Sequence, residues 1–248
     1  MTQHNAYGKF MQRNSFLIYV LILIISPYPL ISRGYVTLTF DDGYQSHYET
    51  VFPLLKKYQM AATFYIGTDF LGKPGYLTEK QVFQLSERGY EIASHSVTHR
   101  NLKQLSVAEI KKELRESQLC LENLTQAPID HFAPPFGFFN SIVLQLIGQI
   151  YQSSRTIVPG LNDIKLPTPF LIRSYVLFNH TSLKEIEGWI DEAIKKNKWL
   201  VLVYHQIDDS DEITSIRSPF FEDNLKVIQR KGVPVKSMGE FLEWLKFE

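Results

Sequence analysis

The chain is predicted to be an α/β protein: a closed or nearly closed barrel of about seven strand–helix units in a single domain. Three observations point there. From Tyr35 onward, short β-rich apolar runs alternate with stretches of helical periodicity. Several of the helical stretches open on a capping-box pattern, and two end at glycine. The run at 199–205 (WLVLVYH) is apolar at both parities, as a strand of a parallel sheet covered on both faces must be.

Residues 1–32 stand apart from that pattern. Lys9 and Arg13 precede an unbroken apolar run of ten, Phe16–Ile25, and no acidic residue occurs before Asp41. A positive start followed by a short apolar core has the form of a secretory signal peptide. A membrane-spanning helix takes about 20 apolar residues, and reaching that length here means crossing Pro27 and Pro29. No clean pair of small residues marks a cleavage point, so an uncleaved N-terminal membrane anchor is the second expectation and a buried core element the third. The first two place the protein outside the cytoplasm, secreted or membrane-anchored. Residues 33–248 then form the folded domain.

The first strand is 35–40 (YVTLTF), followed by a helix through Leu54, Leu55 and Tyr58. A second strand follows at 62–67 (ATFYIG). Thr78 and Gln81 have capping-box spacing and open a helix that ends at Gly89. The third strand is 90–95 (YEIASH). Ser106 and Glu109 open the next helix, whose Ile110, Leu114, Leu121 and Leu124 share one face. Proline and glycine mark 157–169 as a loop, and 170–176 (FLIRSYV) reads as a strand with Arg173 inside its apolar run. Ser182 and Glu185 cap a later helix. Beyond 199–205, a helix through Leu225 and Ile228 ends at Gly232, and 233–235 (VPV) starts a last short strand.

Composition removes several classes of function. Hydrophobic residues make up 44% of the 248 and charged residues 21%, which excludes extensive disorder. Lys and Arg number 26 and so do Asp and Glu, so no basic balance exists to neutralise a nucleic acid. Cys120 is the single cysteine; it permits neither an intrachain disulfide nor a cysteine-rich zinc site. Any metal must be held by histidine and carboxylate.

The candidate chemistry sits where apolar strands stop. The first strand runs into Asp41-Asp42-Gly43. Neighbouring strand residues face opposite ways, so two carboxylates converge only if the chain turns there; Gly43 supplies the freedom, and a plain turn is the alternative. The third strand ends in His95-Ser96-Val97-Thr98-His99, whose two imidazoles would meet on one face of a helical turn, a frequent metal-ligand spacing. Two histidines and one carboxylate leave positions open on a metal, and the spare carboxylate could act as general base on a water held there. His205 closes the 199–205 strand at an equivalent end, which suits a general acid. In Phe132-Ala133-Pro134-Pro135-Phe136-Gly137 the prolines fix the backbone, and the Phe136 N–H could donate to a developing oxyanion. His4, His47, His131 and His180 fit no such geometry, His131 being the expected bystander near the site.

Taken together, these elements resemble the polysaccharide deacetylase family, the NodB-like carbohydrate esterases. Its first motif, Thr-Phe-Asp-Asp-Gly, matches Thr39 to Gly43, and its second, His-Ser/Thr-x-x-His, matches His95 to His99. Its Pro-aromatic-Gly turn matches Pro135-Phe136-Gly137, and its apolar strand ending in Leu-x-His corresponds to Val203-Tyr204-His205. The resemblance spans roughly 35–245. It implies a deformed (β/α) barrel, with 33–248 as the catalytic domain. It implies that Asp41 is the base, that Asp42, His95 and His99 hold one divalent ion, zinc by default, that His205 is the acid, and that the Phe136 amide joins the oxyanion site. The implied reaction removes N-acetyl groups from amino sugars of a polysaccharide: peptidoglycan, a chitin-like oligomer or poly-N-acetylglucosamine. The expected partner is that glycan, with no nucleic acid, and with a membrane only through an uncleaved N-terminus.

Two departures qualify the resemblance. Family members often carry, in the third motif, an Arg that pairs with the catalytic Asp; here that position is Ala133. The fourth motif, with an Asp that tunes the acid histidine, has no clear counterpart. Arg173 is expected to reach Asp41 from its own strand end, with Arg155 as the second candidate. The departures also raise an inactive, membrane-tethered carbohydrate-binding homologue as an alternative, and the two-histidine, one-carboxylate set raises a metal-dependent oxygenase.

Overall fold

The computed structural model describes residues 34–165 and 168–247. The leader or anchor expected at 1–32 lies outside the described residues. Among those described, no helix is long and apolar enough to cross a membrane.

The strands are β1 (Tyr35–Phe40), β2 (Thr63–Ile66), β3 (Glu91–Ser94), β4 (His131–Phe132), β5 (Ser153–Ser154), β6 (Asn162–Asp163), β7 (Tyr175–Val176) and β8 (Lys198–Tyr204). Between and after them come α1 (Phe52–Tyr58), α2 (Glu79–Glu87), α3 (Val107–Thr125), α4 (Ser141–Ile147), α5 (Leu183–Lys196), α6 (Ser218–Lys231) and α7 (Met238–Trp244). The sheet order is β5-β4-β3-β2-β1-β8-β6, with β7 also paired to β8. Every pairing is parallel except β6 on β8. The β5 edge meets the segment leading into β7. Arg155 and Ile172 form a parallel bridge, and the Thr156 N–H donates to the Ile172 carbonyl at 2.7 Å. Seven parallel strands thus follow one another in a ring. It is deformed because β4, β5 and β7 are two residues long.

Period two sorts the core into two layers. Val36, Leu38 and Phe40 of β1 pack with Leu200, Leu202 and Tyr204 of β8 under the helices. The opposite parity places Trp199, Val201, Tyr65 and Ala93 inside the ring, closed by Met238 and Phe241 of α7. The Trp199 indole N–H finds the Thr37 hydroxyl at 2.9 Å, so a large ring is buried with its polar atom satisfied. The capping boxes at Thr78, Ser106 and Ser182 form with both reciprocal bonds, and a further one at Ser237 and Glu240 opens α7.

Three expectations are corrected. Residues 233–235 contribute one bridge, Val36 to Val235, rather than a strand. The stretch 157–169 contains β6, which pairs antiparallel with β8. Of 170–176, only Tyr175–Val176 is strand.

Candidate active site

Parallel strands deliver their C-terminal ends to one side of the ring. Asp41 follows β1, His95 follows β3, Ala133 follows β4, Arg155 follows β5 and His205 follows β8. This is the end on which barrel enzymes place their chemistry. A cavity of about 410 Å³ opens there, lined by Asp41, Asp42, His95, His99, Phe136 and His205 among others.

The aspartates converge through two consecutive left-handed residues. Asp42 has φ 72° and Gly43 φ 78°, so the turn begins at Asp42 itself and not only at the glycine. Asp41 still belongs to the sheet, its N–H donating to the Tyr204 carbonyl at 2.9 Å. The imidazoles also meet, but not on a helical turn. Ser96 (φ 67°) and His99 (φ 57°) are both left-handed, and this bend brings the ring centroids to 4.9 Å. The His95 Nδ1 lies 2.7 Å from the Ala133 carbonyl, which fixes the proton on Nδ1 and leaves Nε2 as a lone pair. That Nε2 is 3.4 Å, and the Nε2 of His99 3.2 Å, from Asp42 Oδ1.

Those three side chains fit a metal. One donor atom from each of Asp42, His95 and His99 falls within 4.8 Å of the others. Asp42 Oδ1 is buried and makes no hydrogen bond of proper geometry. Burial raises the Asp42 carboxyl, yet the imidazoles of His95 and His99 outweigh it and hold the group well below the usual carboxylate range. Burial also works against the His95 imidazolium, and Asp42 with Asp41 reverses that, raising the ring above its ordinary value. A pocket that draws a proton between these groups attracts a cation by the same field.

Arg155, not Arg173, reaches Asp41. A single Nη2 donates to both Asp41 oxygens at 2.6 Å, with both residues almost fully buried. The guanidinium carbon sits 5.0 Å from the Tyr65 ring centroid, an aromatic floor under the cation. Arg173 is exposed and lies against Gly160. The reason is parity: Ile172 and Ser174 are fully buried, so Leu171 and Arg173 face outward. The guanidinium that Ala133 cannot supply thus comes from the end of β5.

His205 lines the cavity, and its backbone carbonyl takes a hydrogen bond from the Nε2 of the fully buried His47 at 2.8 Å. Burial lowers the His205 imidazole below its ordinary value, against the pull of Asp41 and Asp42. Phe136 also lines the cavity; its backbone is left-handed (φ 58°), and its ring meets His99 edge-on at 4.7 Å. His131 is not a bystander near this site, because it opens β4 at the opposite end of the ring.

Sequence reasoning missed three contributors. His47 supports His205 through the backbone. Tyr44 lines the cavity, and burial and then the Asp42 charge push its phenol up, so it stays a neutral hydroxyl. Glu113 of α3 accepts from the backbone between the two histidines. Only Glu113 left a trace in the sequence: a carboxylate on the buried face of α3, one position before Leu114.

Residues 31–151 match the family model described as polysaccharide deacetylase. The Bacillus subtilis protein YxkH, named for that family, is 32% identical over 130 residues, which is 52% of this chain and 47% of YxkH. The peptidoglycan-N-acetylglucosamine deacetylase PgdA of Listeria monocytogenes is 30% identical over 115 residues, 46% of this chain and 24% of PgdA. The chain therefore spans less than half the length of either curated relative. A Streptococcus pyogenes deacetylase solved in complex with acetate superposes with a TM-score of 0.55 at 26% identity, over 61% of this chain and 68% of that one. The matched residues carry the Asp-Asp and His-His motifs at their strand ends, so this part of the chain is similar to the polysaccharide deacetylase family.

Proposed function

We propose that the protein removes N-acetyl groups from amino sugars of a polysaccharide by metal-dependent hydrolysis of the acetamide. The observation that carries this reading is the Arg155-anchored Asp41 beside the Asp42–His95–His99 group, with His205 on the same cavity. When bound by Asp42, His95 and His99, a divalent ion, zinc by default, supplies a Lewis acid that acidifies water and polarises the acetyl carbonyl. Asp41 accepts the proton of the attacking water, its carboxylate oriented by the Arg155 Nη2. The Phe136 amide offers its N–H to the oxygen that gains charge. His205, protonated, gives its proton to the departing amine; because burial lowers its pKa, its imidazolium is the stronger acid.

The similarity to a peptidoglycan-N-acetylglucosamine deacetylase supports a glycan of N-acetylated amino sugars as substrate. Arg155 also answers the missing third-motif arginine, one of the two departures that raise an inactive binding homologue. The second carboxylate and the acid histidine have no task in an oxygenase. Acetate release should be followed from peptidoglycan fragments, chitooligosaccharides and poly-N-acetylglucosamine. Zinc-loaded protein should release acetate from at least one, chelation should stop it, and restoring the metal should revive it. No release from any of them, or release indifferent to chelation, would overturn the proposal.

A further inference from the structure

We propose that Glu113 is a positioning residue for the metal ligands: it clamps the backbone between His95 and His99 and so sets where the two imidazoles point. The inference rests on the metal reading above. Glu113 is 3% exposed and is not among the residues lining the cavity. Its Oε2 accepts the Val97 N–H at 2.9 Å and the Thr98 N–H at 2.8 Å. Its Oε1 accepts the Thr98 hydroxyl and, at 3.3 Å, an Arg100 Nη2. All these partners lie within 97–100, so a carboxylate in the middle of α3 is committed wholly to the histidine segment.

That segment needs holding. Left-handed backbone is unfavourable at a non-glycine residue, and Ser96 and His99 both adopt it. Such conformations persist only where the surroundings enforce them. His95 has an anchor of its own in the Ala133 carbonyl. For His99 the support is carried by its backbone: its N–H donates to Ser96 Oγ at 3.1 Å, and the two amides before it end on Glu113. Removing the carboxylate takes the acceptor from the Val97 and Thr98 N–H groups and frees the bend to relax, which moves His99 relative to Asp42.

Zinc affinity measured by chelator competition, without substrate, tests this. Glu113→Ala should weaken zinc binding by about 10–100-fold, the usual effect of losing a group that orients a metal ligand. Glu113→Asp, which keeps the charge but draws it back by one methylene, should fall in between and serves if the alanine variant does not fold. Glu113→Gln should restore most of the affinity, because its amide oxygen can still take both N–H groups. Circular dichroism and denaturant midpoints identify which variants are folded. Native zinc affinity in folded Glu113→Asp or Glu113→Ala overturns the proposal, as does a wild type that binds no divalent ion. Absence of deacetylation in a protein that binds zinc would count against the proposed reaction and leave this result standing.

Discussion

The two ends of the ring are built from similar parts and do different things. At the C-terminal end, Asp41 is held by Arg155, while Asp42 faces two imidazoles with Oδ1 unsatisfied. At the N-terminal end, Glu91, His131 and Ser153 open β3, β4 and β5 and form a chain of their own. The His131 Nδ1 is 2.8 Å from Ser153 Oγ, and its Nε2 is 3.3 Å from Glu91. A cavity of about 500 Å³ lies against this second group, larger than the one at the catalytic end. Size therefore does not locate the chemistry. At the N-terminal end Glu91 is saturated: the Thr63 hydroxyl and the Gly239 N–H donate to it, the latter at 2.9 and 3.1 Å to its two oxygens. Ser153 is fully buried and does not line this cavity. These bonds tie the start of α7 to two strands, a structural task. Unsatisfied polar atoms aimed into a cavity separate a reactive end from a load-carrying one.

The sharpest break in the comparison comes from the base. Asp41→Asn should lower turnover by roughly 10²–10⁴-fold, the scale of general-base catalysis, while the metal is retained. Asp42→Ala should lose the metal itself. Metal content and acetate release on the same samples separate the two, and equal metal loss in both would refute the division of labour.

Arg155→Met removes one partner of a buried ion pair and should cost about 3–5 kcal/mol of stability along with most of the turnover. Arg173→Ala, at an exposed position, should stay within about 0.5 kcal/mol and leave turnover unchanged. Denaturant titrations beside initial rates test both, and a silent Arg155→Met would detach Asp41 from its assigned anchor.

His47 sharpens the contrast through pH. Burial lowers its pKa from 6.5 to about 4, so the fold keeps the ring neutral while the unfolded chain takes up a proton between those values. Its contribution is complete above about 6.5 and is lost as pH falls toward 4, for a total of roughly 3 kcal/mol. Unfolding free energy measured from pH 7 to 4.5 should fall less steeply in His47→Gln than in the wild type.

The other end should touch stability alone. Glu91→Gln keeps the shape but weakens the bonds to Gly239 and His131, which should cost about 1–3 kcal/mol with turnover intact. A matching loss of turnover in the folded variant would mean the two ends are coupled.

How much of this was legible in the sequence follows from the range of the forces involved. Period-two and capping patterns are local, and they marked β1, β2, β3 and β8 and three of the capping boxes. Chemistry at strand ends was legible for the same reason: Asp41, Asp42, His95, His99 and His205 each follow an apolar run. Conformation at single residues was not. Nothing in the letters says that Asp42, Ser96 and His99 turn left-handed, because the enforcing bonds come from other elements, Glu113 among them. By sequence Arg155 stands below Arg173, because a charge inside FLIRSYV looks more anomalous than one after two serines. Parity sends the first outward, and the small Ser153 and Ser154 leave the second a way in.

Arg155 has two attachments, and they are made by different parts of the residue. Its backbone is the bridge to Ile172 that joins the last edge of the sheet, and its side chain is the anchor of Asp41. The seam of the barrel and the setting of the base are therefore one joint. A fluctuation that parts the seam withdraws the guanidinium from the carboxylate at the same moment. Heating should therefore abolish the proposed acetate release through this joint before the β1–β8 centre of the sheet gives way.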